Sequence, residues 1–414
     1  MRPSDPGEVA DASVARVFLA FARLGLTSFG GPVAHLGYFR AEFVTRRRWL
    51  DDAAYADLVA LCQFLPGPAS SQVGIAIGHR RAGLAGALAA WVGFTLPSAL
   101  ALVLFAFGLA RWGAGLGGGW LHGLEIAAAA VVAQAVWGMG RTMAQGRERA
   151  TLAVAACAAA TLWPSAAGQV GAIAVAGLVG WRWLDGGDVA AAPDAMAAAP
   201  PVDTGGSSGG VARSFALVPL IAFAGLLVAL PLLARIDASY PLQLFDRCYR
   251  AGALVFGGGH VVLPLLRAEV VPPGWLSDDR FMAGYGAAQA VPGPLFTFAA
   301  FIGAASNRDP AGWIGAAIAL VAIFLPGFLL VVGTLPYWER LRRLAPMRRT
   351  LQGVNAAVVG LLLAAFLGPV WTRAVQRPLD AVAVAVAIVL LVAWKLPPWL
   401  LVVGSAAVAA LGWI

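Results

Sequence analysis

Runs of apolar residues recur along the whole length of this 414-residue chain, and they constrain its fold more than any other feature. They fall at about 12–30, 53–78, 82–110, 119–140, 150–163, 166–184, 214–234, 243–266, 280–305, 311–336, 350–370, 378–394 and 397–414, thirteen in all. Most approach or exceed the ~20 residues a helix needs to cross a bilayer. Only 12% of the residues are charged, about half the share usual in a soluble domain. The chain therefore reads as an all-α polytopic membrane protein whose partner is the lipid bilayer.

The net charge of +8 comes almost entirely from arginine, with Lys395 the single lysine. The arginines lie mostly in short loops between apolar runs, as expected for segments retained in the cytoplasm. No basic face with interleaved aromatics exists, so a nucleic-acid partner is not expected. Cys62, Cys157 and Cys248 sit in apolar surroundings without metal-ligand spacing and read as small core residues. The first twelve residues carry Asp5, Glu8 and Asp11 against Arg2, so they are not read as a cleaved signal peptide.

Residues 185–213 differ from the rest, being rich in Ala, Pro, Gly, Ser and Asp. They read as a flexible cytoplasmic linker between an N-half, 1–184, and a C-half, 214–414. The halves repeat. GLTSFGG (Gly25–Gly31), Arg40-Ala-Glu42, Trp49-Leu50 and QFLPGP (Gln63–Pro68) are followed in the same order by GALVFGG (Gly252–Gly258), Arg267-Ala-Glu269, Trp275-Leu276 and QAVPGP (Gln289–Pro294). The offset is 227, falling to 226 after a one-residue deletion near Pro272. More loosely, Gly123-Leu-Glu125 matches Gly353-Val-Asn355. Segment 214–234 has no counterpart and adds one crossing, so the C-half enters the membrane in the opposite direction, which makes an inverted repeat.

Two topologies remain open, with about 9–13 membrane segments between them. Thirteen crossings would place Arg46, Arg47 and Arg48 outside. If residues 12–46 and 53–78 each dip in and return, those arginines stay inside with Arg80, Arg81, Arg141, Arg147 and Arg149. That arrangement has nine full crossings and four re-entrant hairpins and fits the positive-inside rule better. In the C-half, Arg340, Arg342, Arg343, Arg348 and Arg349 again fall inside.

The glycine and proline motifs must interrupt helices within the membrane. Exposed backbone is tolerated there only where protein or a water-filled cavity satisfies it. A half-helix starting at such a break aims its N–H groups and positive dipole end into the bilayer. Pro66-Gly67-Pro68, followed by Ser70 and Ser71, thus reads as an anion cradle, with Pro292-Gly293-Pro294 and Thr297 as its partner. Thr27, Ser28, Gly30 and Gly31, with Gly257 and Gly258, form the facing pair, and Gln63 and Gln289 precede each Pro-Gly-Pro. The alternative is that these elements only kink packed helices. Arg23 and its repeat partner Arg250 read either as oxyanion ligands or as snorkelling side chains. Arg40, Glu42, Arg267 and Glu269 read as structural ion pairs at hairpin ends. Glu125 is a candidate proton carrier or an edge residue facing water; Asn355 is its neutral counterpart. His35 and His260 adjoin the breaks and read as titrating groups or as core histidines.

These motifs have a family likeness. RLGLTSFGGPVAHLGYFRAEFVTRRRWLD (Arg23–Asp51) with QFLPGP, and GALVFGGGHVVLPLLRAEVV (Gly252–Val271) with QAVPGP and GVNAAVVGLL (Gly353–Leu362), resemble the chromate ion transporter superfamily. The resemblance covers both halves, so the chain is similar to the long, two-domain members. It implies a bacterial inner-membrane exporter of chromate that confers resistance, with sulfate as a competing ligand and drive from the membrane potential or proton gradient. Potential alone favours export, since a dianion leaving a negative interior gains about 4.6 kcal/mol at 100 mV.

No nucleotide-binding loop, HExxH or Cys/His metal cluster occurs. Neither an enzyme, a cofactor nor a metal is therefore expected. A sulfate transporter, an anion channel and a membrane reductase remain as alternatives. A homodimer is an open possibility, because Gly83, Gly86 and Ala90 permit close helix packing, although that packing could equally be internal.

Overall fold

The computed structural model describes residues 13–112, 119–184, 210–256, 259–338 and 345–412. The first twelve residues, linker residues 185–209, Gly257, Gly258 and Arg340, Arg342 and Arg343 lie outside the described residues. Every described element is helical. The N-half contains α1 (Val14–Thr27), α2 (Gly31–Phe39) with a π-helical turn at Arg40–Arg46, α3 (Asp52–Phe64), α4 (Ala69–Trp112), α5 (Gly119–Met143), α6 (Gly146–Leu162) and α7 (Ala166–Trp183). Then come α8 (Gly210–Ile236), α9 (Tyr240–Leu254), α10 (Val262–Val270), α11 (Asp278–Ala290), α12 (Phe298–Ala305) and α13 (Gly312–Thr334). The chain ends with α14 (Ala345–Ala365), α15 (Trp371–Ala374), α16 (Pro378–Val392) and α17 (Pro398–Ala410).

The repeat is visible in element boundaries. α3 runs from 52 to 64 and α11 from 278 to 290, so both ends differ by 226. α8 is the added helix; it starts at Gly210, inside the segment expected to be linker. It is the least buried of the long helices.

Four expected segments are broken and folded back. An unbroken helix would separate Phe21 from Phe39 by about 27 Å, yet their ring centroids lie 5.5 Å apart. Likewise Arg250 on α9 pairs with Glu269 on α10 at 2.9 Å, and Phe281 on α11 stacks edge-on to Phe298 on α12 at 5.0 Å. In the fourth, α3 and α4 pack against each other on either side of Pro66-Gly67-Pro68. α4 is itself two helices, joined where Ala82 and Gly83 leave helical geometry.

Five helices among the described residues are long and apolar enough to cross a membrane: Ala69–Trp112, Gly119–Met143, Ala216–Ile236, Gly312–Tyr337 and Arg348–Ala374. Four other segments expected as full crossings are shorter. α6, α7, α16 and α17 have 17, 18, 15 and 13 residues, spanning about 20–27 Å against a hydrocarbon core of ~30 Å. The turn between α6 and α7 holds Pro164, and the one between α16 and α17 holds Pro397. At the latter, Trp399 lies 5.8 Å from Phe29, beside the first helix break. Each of these pairs packs on the opposite half. A side chain at Gly123 of α5 would strike the backbone of Ser405 on α17, and one at Gly360 of α14 that of Ala153 on α6. Glycine at these points lets the helices touch backbone to backbone.

The core is continuous between the halves and rich in aromatics. Gly86 and Ala90 pack internally against Gly78 across the α4 bend. They are therefore not free to form a homodimer face.

Candidate functional site: the facing helix breaks

Two loops of matching sequence meet the opposite half's helix break. At Pro66-Gly67-Pro68 the Gly67 amide donates to the Val255 carbonyl at 2.7 Å, where α9 ends. At Pro292-Gly293-Pro294 the Gly293 amide donates to the Ser28 carbonyl at 2.9 Å, where α1 ends. Val255 and Ser28 are repeat partners, as are Gly67 and Gly293. Both glycines have positive φ, +123° and +102°, a conformation open to few other residues.

The breaks start new helices. Gly30 is left-handed, at φ 95°, and caps α2, with Pro32 in the first turn. Such a proline needs no partner for its missing N–H. α4 begins at Ala69 after Pro68, and a 3-10 turn Leu295–Thr297 begins after Pro294. The free N–H groups of these starts favour negative charge.

Buried polar atoms cluster here without partners. Ser28 Oγ, Ser71 Oγ, Thr95 Oγ1, His35 Nε2, Gln72 Oε1 and Gln289 Nε2 make no hydrogen bond. Ser28, Ser71, Thr95 and His35 are 0–2% exposed. A buried polar group without a partner costs about 1–3 kcal/mol, so this many around one junction calls for a ligand or water. His35 links the two N-half breaks, its Nδ1 lying 3.3 Å from Ser70 Oγ. Its ring meets Phe94 edge-on at 5.3 Å.

The remaining expected residues fall into distinct places. Thr297 is buried but donates its hydroxyl to Pro294 within its own turn, at 2.7 Å. His260 Nδ1 lies 2.8 Å from the Tyr285 hydroxyl. Gln63 is exposed, unlike its half-buried partner Gln289. Thr27 is exposed and bonds the Arg23 carbonyl at 2.9 Å. Arg23 itself is exposed on α1. Arg250 is held bidentately by Asp246 at 3.0 and 2.8 Å and by Glu269 at 2.9 Å. Glu125 is buried away from the breaks, with His122 3.4 Å away, and Asn355 is half-buried on α14. Gly257 and Gly258 lie outside the described residues.

The hairpin ends carry ion pairs. Arg40 pairs with Asp52 at 2.6 Å and Arg267 with Asp278 at 2.7 Å, again repeat partners. Glu42 binds Arg46 and Arg47 at 2.9 and 2.6 Å. Sequence reading missed Thr95 and Ser98, which lie on unbroken helix; Ser98 Oγ would be 2.8 Å from a side chain at Gly293. It also missed Asp380, which is 1% exposed. Two polar residues inside an apolar run were the available signal for the first pair.

Comparison with known proteins gives the same outline. A family model described as chromate transporter matches residues 15–181 and again 242–413. A chromate transport protein of Cupriavidus metallidurans is 29% identical over 94% of this chain and 91% of its own length. One from Pseudomonas aeruginosa is 30% identical over 92% and 88%. An uncharacterized transporter of Bacillus subtilis, 30% identical, aligns over 92% of its own length but only 40% of this chain, so it corresponds to a single half. No solved structure matches. The two matched ranges cover most of the sequence, and the chain belongs to the chromate transporter family.

Proposed function

We propose that the chain exports chromate across a bacterial inner membrane, powered by the membrane potential or the proton gradient, and so confers chromate resistance. The anion sits at the junction of the four helix breaks. The observation that carries this reading is the pair of unpartnered hydroxyls Ser28 and Ser71, beside the starts of α2 and α4, with the unpartnered Thr95 hydroxyl next in sequence to Phe94, whose ring meets His35 of α2. Hydroxyl donors and helix N-termini suit a tetrahedral dianion, whose oxygens accept from many directions. Arg250 is neutralised by Asp246 and Glu269, so dipoles and hydroxyls carry more of the binding than a free guanidinium would.

Sulfate has the same shape and charge and competes at this junction. The basic loops at Arg46–Arg48, Arg80, Arg81 and Arg141 support a cytoplasmic N-terminus under the positive-inside rule. The two repeat units are 1–184 and 214–414. Purified protein in liposomes tests the reading. Chromate flux that saturates, and that sulfate inhibits competitively, is the expected result. Saturable sulfate flux without chromate flux would reassign the substrate, and a flux that never saturates would mark a channel.

A further inference from the structure

A second polar cluster lies away from the breaks. His122, Glu125, Asp279, Arg373, Arg377 and Asp380 line one cavity of about 390 Å³. His122 reaches two buried carboxylates: Nδ1 is 3.4 Å from Glu125 Oε2 and Nε2 is 3.3 Å from Asp380 Oδ1. Glu125 is 6% exposed and Asp380 1%. Asp380 Oδ2 accepts from the Gln376 and Arg377 amides at 2.9 and 2.7 Å. Its Oδ1 has no aligned hydrogen bond, and its ion-pair contact is the histidine. Arg373 is engaged by Asp278 at 3.4 Å and by Asp279. α17, which also packs on α5, has no ionisable side chain.

A neutral imidazole has one N–H and can donate to one carboxylate only. The other carboxylate would then face a ring lone pair. Both contacts are satisfied when the ring is doubly protonated, or when Glu125 holds the proton and donates to the ring. In either case the three groups bind one proton more than a neutral histidine with two carboxylates.

The cluster is mechanically joined to the central loops. Leu124, next to Glu125, touches α11 at Gly286, where an added side chain would lie 2.9 Å from the Leu124 carbonyl. Gly286 is one turn before Gln289 and shortly before Pro292-Gly293-Pro294. The Arg373–Asp279 pair grips the first turn of α11. α11 is therefore held at its first turn by Arg373 of the cluster and at Gly286 by α5, and it carries a central loop at its end.

We propose that His122, Glu125 and Asp380 form a proton-binding site coupled through α11 to the central anion junction. This rests on the transport reading above. Coupling of this kind is reciprocal: if protonation favours one arrangement of α11, anion binding to that arrangement favours protonation.

Liposomes carrying the full chain and the pH dye pyranine, with potential clamped by potassium and valinomycin, test it. In the wild type, a chromate gradient should drive proton movement alongside chromate. Glu125→Gln keeps the side-chain shape, and Asp380→Asn keeps an oxygen for the two amides. Both should retain chromate exchange while the proton flux falls roughly tenfold or more; His122→Asn, which also removes the ring, should do the same. Wild-type chromate flux without a pH change, or variants that keep the wild-type ratio of proton to chromate, would overturn the proposal. Absence of both chromate and sulfate flux in the wild type is a different result, which removes the transport reading and this site's role with it.

Discussion

The amide of Gly67 donates a 2.7 Å hydrogen bond to the carbonyl of Val255, joining the Pro-Gly-Pro loop of one half to the helix break of the other. Its mirror image joins Gly293 to Ser28 at 2.9 Å. Two such bonds fix the loops at the junction without side chains, so geometry there depends on backbone conformation.

Replacing either glycine with alanine should therefore be damaging. The left-handed φ of each would be strained by about 1–3 kcal/mol. The new Cβ would also lie 2.9 Å from Gln72 Nε2 at position 67 and 2.8 Å from Ser98 Oγ at position 293. Gly67→Ala and Gly293→Ala should each lower the melting temperature in detergent and reduce chromate flux by roughly tenfold or more. Unchanged flux in both would mean the loops do not shape the site.

The arginines 23 and 250 occupy equivalent sequence positions but different surroundings. Arg23 is exposed, and Arg23→Ala should leave flux within about twofold and stability within about 0.5 kcal/mol. Arg250→Ala strands Asp246, which is 4% exposed, and removes one partner of Glu269. A loss of about 2–4 kcal/mol is expected, read as a lower unfolding temperature. Equal effects of the two substitutions would contradict this asymmetry.

Removing an unpartnered hydroxyl should separate binding from stability. Ser28→Ala and Ser71→Ala delete buried donors that have no protein partner, so stability should stay level or rise slightly. Each hydrogen bond to a charged ligand is worth about 1.5–3 kcal/mol, so KM for chromate should rise roughly tenfold or more. Ser70→Ala, which breaks the His35 contact, should instead cost stability. Uptake kinetics and thermal unfolding on the same preparations distinguish the cases.

Close backbone packing gives a fourth expectation. A side chain at Gly86 would overlap the Gly78 carbonyl within the α4 bend, and Gly303 and Gly315 repeat this arrangement in the C-half. Gly86→Val or Gly303→Val should abolish correctly folded protein, seen as loss of the monodisperse peak in size-exclusion chromatography. Gly138→Val, on the same kind of helix but with open space around it, should fold normally.

Much of the fold was legible in the sequence because its signals are local. Proline and glycine mark breaks by their own backbone chemistry, so the four folded-back segments could be read from residues 30–32, 66–68, 257–259 and 292–294. Span lengths were harder. α16 and α17 sit in apolar runs that look long enough to cross, but α16 stops at Val392 and Pro397 and Pro398 start α17 afresh, so neither helix is longer than 15 residues. At the site, spacing made the serines after Pro68 candidates; both are buried, and the Ser71 hydroxyl has no partner. Thr95 was not a candidate, lying inside an apolar run, and neither was Asp380, whose contact with His122 comes only from packing between the halves. Arg23 and Arg250 occupy matching motifs, but of the two acids that hold Arg250, Asp246 falls opposite Leu19, and Glu269 falls opposite Glu42, which pairs with Arg46 and Arg47 instead.

The central claim is that one anion sits where the four breaks meet. Chromium scatters X-rays anomalously, so crystals of the protein grown with chromate test it directly. The account predicts an anomalous peak within hydrogen-bond distance of Ser28 Oγ or Ser71 Oγ, beside the starts of α2 and α4. A peak confined to the His122 and Arg373 cavity, or to the exposed face at Arg23, would contradict it.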